Sequence, residues 1–159
     1  MSQMRRKDKE MDAEFALGVL RDCEYASLAT VNPDGTPYCI PVSPVLSGNA
    51  VYFHCASEGK KLDNIRRDGN VCLCCVGRAR LVPERFTTEY ESAVAEGACA
   101  IVQDEGEKIS ALRLICEKYA ADNMGAAERV IMGELSRTTV CRIELGSITG
   151  KSNYNKSEL

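Results

Sequence analysis

Tryptophan is absent from this 159-residue sequence, histidine occurs once, and basic residues are not in excess. The 20 Lys and Arg residues are outnumbered by 23 Asp and Glu residues, so the net charge of −3 provides no cationic surface for nucleic acid. No apolar run is long enough to cross a bilayer, and the charged first residues do not form a secretion signal. We therefore expect a cytoplasmic protein that binds neither nucleic acid nor a membrane.

The single histidine and the odd number of cysteines, 9, also limit the possible chemistry. A zinc finger needs ligands at regular spacing, and a second pair of closely spaced cysteines is missing. A thioredoxin-like site places its cysteines at the start of a helix, whereas Cys72 and Cys75 lie within an apolar, strand-like run. We predict no metal site, and free thiols that are mostly buried as small apolar side chains in a reducing compartment.

The length and the hydrophobic content of 45% predict one folded domain over residues 1–159. Short runs rich in strand-forming residues, separated by turn residues, alternate with a few amphipathic segments. These patterns predict strands at 25–31, 36–46, 50–55, 71–80, 87–96, 98–102 and 139–145, and helices at 8–23, 59–67, 105–119 and 126–135. Gly97 marks a bulge or bend between two of the strands. The order favours a small antiparallel barrel with helical attachments.

The first two strands are predicted to form a hairpin, because the run 32–35, Asn-Pro-Asp-Gly, is a strong turn signal. Pro37, Pro41 and Pro44 interrupt the returning strand. Proline has no N–H to donate, so this strand is predicted to lie at a sheet edge or to be irregular. Its unpaired backbone groups would then be available to a ligand.

The turn after the third strand contains Ser57 and Gly59 and leads into a predicted helix that begins with Lys60 and Lys61. Backbone N–H groups at a helix start, together with an ammonium group, form a natural phosphate site. A pair of solvated surface lysines is the alternative interpretation, and the residue types alone do not separate the two.

His54, near the end of the same strand, also has two interpretations. A lone histidine is commonly a structural residue whose hydrogen bonds are satisfied. Its ordinary pKa lies near neutrality, however, so it is also a candidate proton donor to a cofactor or substrate. Strand alternation places Tyr52 and His54 on one face, and Phe53 on the other.

A glycine-rich run at 146–152 superficially resembles a phosphate-binding Walker loop. Three residues separate its glycines where that motif requires four, and the run follows the last predicted strand, with no helix after it. We therefore do not expect ATP or GTP binding.

The order of elements, with several local motifs, resembles the pyridoxamine-phosphate-oxidase-like FMN-binding split barrels, and within them the nitroimidazole-resistance (Nim-like) branch. The resemblance covers nearly the whole chain. The segments that carry it are 4–7 (MRRK), 34–42 (DGTPYCIPV), 52–56 (YFHCA), 59–61 (GKK), 86–92 (FTTEYES), 107–109 (EKI), 111–112 (AL) and 149–151 (TGK).

This resemblance implies a six-stranded antiparallel split β-barrel of the mainly β (α+β) class, with peripheral helices. It also implies a homodimer that holds FMN at each end of the interface. In such proteins the residues at Pro41, Val42 and Ser43 contact the flavin ring, and those at Phe53 and His54 lie beside the cofactor. Ser57 and Lys60 are the implied phosphate ligands, with Lys61 as the alternate. Ser92 is the implied contact from the partner subunit. The family also associates the position of His54 with the active site.

Three departures from the family pattern bear on the substrate. The arginine- and histidine-containing motif that grips a substrate phosphate near the C-terminus is missing, and Ile40 and Gly59 stand where arginines are typical. Vitamin B6 oxidation is therefore disfavoured. The expected activity is that of an FMN-dependent oxidoreductase acting on nitroaromatic or quinone-like small molecules. The alternatives are a non-catalytic flavin module, a haem module with His54 as axial ligand, and a deazaflavin in place of FMN.

Overall fold

A computed structural model describes residues 4–154, and positions 1–3 and 155–159 of the predicted domain lie outside the described residues. The strands are β1 (Glu10–Met11), β2 (Ala26–Val31), β3 (Pro37–Val42), β4 (Val45–Ser47), β5 (Ala50–Ala56), β6 (Asn70–Val82), β7 (Thr87–Ile101) and β8 (Thr138–Ser152). The helices are α1 (Ala13–Asp22), α2 (Lys60–Arg67), α3 (Glu105–Tyr119) and α4 (Met124–Glu134).

The strands form one antiparallel sheet in the order β3-β2-β6-β7-β8-β5-β4, and β1 pairs with β8 beside this path. The two end strands, β3 and β4, are separated in sequence by Ser43 and Pro44 alone. Three peptide steps span at most about 11 Å, so the two ends of the sheet must lie next to each other. The sheet therefore curls round on itself, which confirms the split β-barrel.

The sheet has eight strands where six were predicted, and the two additional strands are short. The predicted strand 36–46 is divided at Ser43 and Pro44 into β3 and the three-residue β4, because proline cannot continue a ladder. The helix predicted at 8–23 begins later, at Ala13, and its N-cap is Asp12, whose carboxylate accepts a hydrogen bond of 2.8 Å from the Phe15 N–H. The residues just before that cap form the two-residue β1.

The bulge predicted at Gly97 is confirmed, although it bends one long strand, β7, instead of separating two. The register between β7 and β8 shifts between Glu96 and Gly97. A Cβ atom at Gly97 would lie 2.2 Å from the carbonyl oxygen of Glu144, so only glycine permits this backbone approach. The glycine-rich run 146–152 lies within β8, which agrees with the exclusion of a Walker loop.

The apolar core has two parts. Inside the barrel, Leu28, Phe53, Leu73 and Ile143 pack under α1, and each is at most 1% exposed. A second cluster lies between the sheet and helices α3 and α4. Helices α3 and α4 thus cover the side of β5 that faces away from the barrel interior.

All 9 cysteines are free thiols, and four of them, Cys23, Cys75, Cys99 and Cys141, are buried as small apolar side chains. Within residues 4–154, no group of His, Cys, Asp or Glu side chains is arranged to hold a metal ion. None of the helices in this range is both long and apolar enough to span a membrane.

Candidate functional site

The turn between β5 and α2 has a backbone that only glycine adopts readily. Gly59 caps the helix with φ 132° and ψ 161°, and nothing lies within 4 Å of where its Cβ would be. The carbonyl of Gly59 accepts hydrogen bonds from the N–H groups of Leu62 and Asp63, and no side chain caps the helix. Within the described residues, the N–H groups of Lys60 and Lys61 have no backbone or side-chain acceptor, as an anion-binding helix start requires.

Lys60 links this helix start to the edge strand β3. Its Nζ lies 4.7 Å from the centroid of the Tyr38 ring, a cation–π contact, and its charge helps to lower the pKa of Asp34. The larger cause of that lowered pKa is the pair of hydrogen bonds from the Thr36 hydroxyl and N–H. The Lys60 ammonium is thus held beside the strand predicted to bind a flavin ring.

The positive charge of Lys61, the next residue of α2, acts on His54. The imidazole keeps a solvent-accessible surface, but neighbouring groups remove part of its hydration. This desolvation, followed by the positive charge of Lys61, lowers the pKa of His54 below 6.5. Among the residues that the structure describes, the ring has no hydrogen-bond partner, so a neutral His54 is available to a bound group.

A buried polar network fixes α2 against the β2–β3 hairpin. Asn64, 2% exposed, donates from Nδ2 to the Thr30 hydroxyl at 3.0 Å and to Asn32 Oδ1 at 3.1 Å. Arg67 at the end of α2 donates to the carbonyls of Val31 and Asn32 at 2.6 and 2.9 Å. These bonds hold Lys60 at a fixed distance from β3.

Strand β3 lies at the edge of the sheet, as its prolines predicted, and pairs only with β2 within residues 4–154. Pro41 and Ser43 are exposed, whereas the side chain of Val42 is buried at 7% exposure. Any contact from Val42 to a ligand is therefore a backbone contact, while Pro41 and Ser43 also offer their side chains.

Ser57 is exposed in the turn that precedes Gly59, so it belongs to the same end of β5 as His54 and the lysines. Phe53 does not present its ring there: it is 0% exposed inside the barrel, on the face of β5 opposite His54. Ser92 lies on β7, three strands away from β3 in the sheet. Three strand spacings of about 4.8 Å along the curled sheet separate the two strands, and within residues 4–154 no strand pairing brings Ser92 to β3.

Two residues of this site were not among those predicted. Tyr38 forms the cation–π contact with Lys60, and Asn64 forms the buried network. The only sequence signal for Asn64 is a polar side chain between the apolar Leu62 and Ile65 on a short helix. Its partners are more than 30 residues away in the sequence, so local pattern alone does not reveal its role.

The single histidine makes the pKa of His54 directly measurable. We expect an NMR titration of the imidazole protons to give a value below 6.5, and Lys61→Gln to raise it because a nearby positive charge is removed. Arg66→Ala, on the exposed side of α2, should leave it nearly unchanged. Because the pKa of His54 is lower in the folded protein than in the unfolded chain, the unfolded chain takes up this proton first. The free energy of unfolding therefore decreases as the pH falls from about 6.5 toward the lowered pKa. An unshifted or raised value in the wild type would contradict the desolvated position.

The fold defines a split barrel in which the edge strand β3 lies beside the turn that begins α2. The sequence profile of the pyridoxamine 5'-phosphate oxidase family matches residues 12–152. The chain therefore belongs to this family. No match was found among curated proteins.

Solved structures share the fold at low sequence identity. A candidate 5-nitroimidazole antibiotic resistance protein from Bacteroides thetaiotaomicron is 22% identical with a TM-score of 0.73, covering 90% of this chain and 86% of that one. The flavocytochrome Anf3 from Azotobacter vinelandii is 20% identical with a TM-score of 0.78, covering 96% and 73%. The FAD and heme binding protein from Mycobacterium smegmatis is 16% identical with a TM-score of 0.78, covering 92% and 74%.

Proposed function

We propose that this protein is a cytoplasmic, homodimeric, FMN-dependent oxidoreductase that reduces nitroaromatic or quinone-like small molecules. The observation that carries the proposal is the contact between Lys60 and Tyr38. It joins the two halves of a nucleotide-type site: an anion-binding helix start and an edge strand whose backbone is open to a flat ring. The flavin-binding proteins of similar fold support a flavin as the ligand.

The residues at the turn fit a phosphate monoester. Ser57 offers a hydroxyl group, Lys60 an ammonium group, and the start of α2 its unpaired N–H groups, all on the exposed side of the turn. Gly59 leaves room for an anion to approach the backbone, because nothing lies within 4 Å of its Cβ position. Lys61 is the alternate phosphate ligand, since it begins the same helix.

The residues of β3 fit the edge of a ring. Pro41, Val42 and Ser43 end the strand at the point where the barrel is open, next to β4. Backbone groups in this segment would hydrogen-bond polar atoms of a heterocycle without competition from a neighbouring strand. A bound FMN would supply hydride and electron transfer, and the chain would position it and exclude water.

A second copy of the chain would complete the site. The exposed side chains of Val76, Leu81 and Val94 lie on the outer face of β6 and β7, with 55%, 76% and 36% of their surfaces exposed. Ser92 lies on this same outer face. Pairing two chains through this face would cover the apolar side chains and bring Ser92 of one copy toward β3 of the other.

His54 is the residue proposed to exchange a proton with the substrate. It lies at the end of β5, beside the phosphate-binding turn, and its lowered pKa keeps it neutral near pH 7. A neutral imidazole accepts a proton from water at one ring nitrogen and donates the proton of the other, so it can relay to the substrate the proton that reduction consumes. The free thiols fit a reducing cytoplasm.

The first experiment is a visible spectrum of the purified protein, with mass spectrometry of any cofactor that denaturation releases. We expect the mass of FMN, and sedimentation of the yellow protein as a dimer. FAD, a deazaflavin or a colourless protein that takes up no FMN would contradict the cofactor assignment.

We expect His54→Ala to retain FMN and to lose about 10²-fold or more of its nitroaromatic reductase activity. A variant that keeps full turnover would overturn the role of His54.

A haem-binding module is the second candidate function. His54 is exposed and without a hydrogen-bond partner among residues 4–154, as an open axial ligand position requires. The structural similarity to a flavocytochrome and to a FAD and heme binding protein favours this candidate over other non-flavin functions. A Soret band that disappears in His54→Ala would assign haem in place of the catalytic role.

A further inference from the structure

The link between β3 and β4 is held by the end of helix α3. Ser43 and Pro44 connect the two strands, and proline has no N–H with which to continue a ladder. Pro44 is less than 2% exposed, so its carbonyl oxygen has to find a hydrogen-bond donor inside the protein. The Lys118 ammonium donates to this oxygen at 2.8 Å, and the Tyr119 hydroxyl donates at 2.7 Å. One backbone oxygen thus accepts two side-chain hydrogen bonds from the last turn of α3.

The end of α3 is itself fixed by packing on the sheet. Val45 of β4 and Ile115 of α3, 7% and 6% exposed, belong to the apolar cluster between the sheet and the helices. Lys118 Nζ also lies 5.1 Å from the centroid of the Tyr119 ring, a cation–π contact. The ammonium group is therefore held against the link between β3 and β4 by three kinds of contact: helix packing, a hydrogen bond and an aromatic ring.

Lys118 brings a positive charge to this position. Within residues 4–154 it forms no ion pair with a carboxylate. Desolvation lowers the pKa of Lys118, whereas the charges of Cys23, Cys75 and Asp22 act in the opposite direction, that of Asp22 with the smallest effect. Loss of the proton near pH 7 requires full burial, and Lys118 keeps part of its accessible surface, so it is an ammonium group there.

This charge lies beside the segment proposed to contact the flavin ring. Ser43 directly precedes Pro44, so a ring held by Ser43 lies within roughly 12 Å of Lys118 Nζ, allowing one Cα step and a van der Waals contact. Two electrons and one proton convert a neutral oxidised flavin into a reduced flavin with one negative charge. A fixed positive charge nearby stabilises the reduced form relative to the oxidised form.

We propose that Lys118 and Tyr119 are positioning residues for the flavin, and that the Lys118 ammonium makes the bound flavin easier to reduce. This inference rests on the proposed function, because it takes the ring to lie at the end of β3. Both side chains hold the Pro44 carbonyl and so fix the backbone that the ring contacts. Only Lys118 adds a charge, so substitutions separate the two roles.

The reduction potential of the FMN-loaded protein, measured by dithionite titration against a reference dye, tests the role of the charge. We expect Lys118→Met to lower the equilibrium ratio of reduced to oxidised flavin about 3- to 10-fold, a shift of about −15 to −30 mV for a two-electron couple. Lys118→Gln, which keeps a donor without the charge, should give the same shift and replaces methionine if that variant does not fold. Lys118→Arg should restore the wild-type potential. Tyr119→Phe removes a donor but no charge and should leave the potential nearly unchanged.

Lys108→Met is the matched control on the same helix. Lys108 also donates from its ammonium group to a backbone carbonyl, that of Leu135, at 2.6 Å. It lies about 15 Å from Lys118 along α3, which is more than the screening length of about 8 Å at physiological salt. We therefore expect its substitution to change the flavin ratio less than about twofold. An equal shift in Lys118→Met and Lys108→Met, or no recovery in Lys118→Arg, would overturn the role of the charge.

Hydrogen exchange of the flavin-free protein tests the positioning role separately. We expect Lys118→Met and Tyr119→Phe each to speed exchange of the amides at 42, 43, 45 and 46 about 2- to 10-fold, because each loses one hydrogen bond to the link. Lys108→Met should leave these amides unchanged. Unchanged exchange in both variants of the α3 end would overturn the positioning role. A protein that takes up no flavin would overturn the proposed function, whereas flavin uptake with an unshifted potential in Lys118→Met would overturn this inference alone.

Discussion

Replacing Lys60 by alanine is expected to weaken FMN binding about 10- to 100-fold while leaving riboflavin binding nearly unchanged. A charge-assisted hydrogen bond contributes about 1.5–3 kcal/mol, and each 1.4 kcal/mol is about tenfold in affinity. Riboflavin has the same ring but no phosphate, so it reports on the ring site alone. Lys60 is held in place by Tyr38, so little of its binding energy is spent on ordering the side chain.

Quenching of flavin fluorescence measures both affinities in one titration series. Lys61→Ala is the matched comparison, because Lys61 is the neighbouring ammonium at the start of the same helix. Arg66→Ala, an exposed residue of the same helix, controls for a general loss of charge. Equal losses for FMN and riboflavin in Lys60→Ala would contradict phosphate binding by Lys60. A larger FMN-specific loss in Lys61→Ala would transfer the role to Lys61.

Much of the fold was predictable because its local signals agree with its tertiary contacts. Helix α3 has the predicted bounds, 105–119, since its apolar spacing is regular and Asp104 caps it by accepting a 2.7 Å hydrogen bond from the Glu107 N–H. The edge position of β3 followed from its prolines. The division of β5 into two faces followed from alternation: Phe53 is inside the barrel and His54 is outside.

Other features depend on distant parts of the chain and left no local pattern. Strand β8 continues seven residues beyond the predicted end at 145, because pairing with β7 and β1 stabilises glycine-containing segments that have weak strand propensity. The apposition of Lys60 and Tyr38 results from packing α2 on a hairpin that precedes it. The distance of Ser92 from the rest of the site likewise depends on the strand order, which composition does not determine.

The candidate site is held together by buried interactions of the fold as well as by the contact between Lys60 and Tyr38. The network at Asn64 fixes α2, which begins with Lys60, against Thr30 and Asn32 of the β2–β3 hairpin. Stability and ligand affinity should therefore change together when that network is altered, although Asn64 is 2% exposed and cannot touch a bound molecule.

The substitution Asn64→Leu is accordingly expected to lower the free energy of unfolding by about 2–4 kcal/mol. It removes the donor to the Thr30 hydroxyl and to the side-chain Oδ1 of Asn32, and a buried polar group without a partner costs about 1–3 kcal/mol. In the wild-type protein, no buried side-chain nitrogen or oxygen within residues 4–154 lacks a hydrogen-bond partner. Urea unfolding of the apoprotein measures the loss.

Asn64→Asp separates hydrogen bonding from packing, because aspartate has nearly the same shape but replaces the amide donor by an oxygen. We expect it to be destabilising near neutral pH and less so in acid, where the protonated carboxyl group regains one donor. Arg66→Ala on the same helix, which loses only an exposed ion pair with Asp63, should cost less than about 1 kcal/mol. An Asn64→Asp protein as stable as the wild type at pH 7 would show that packing, and not the network, fixes α2 against the hairpin.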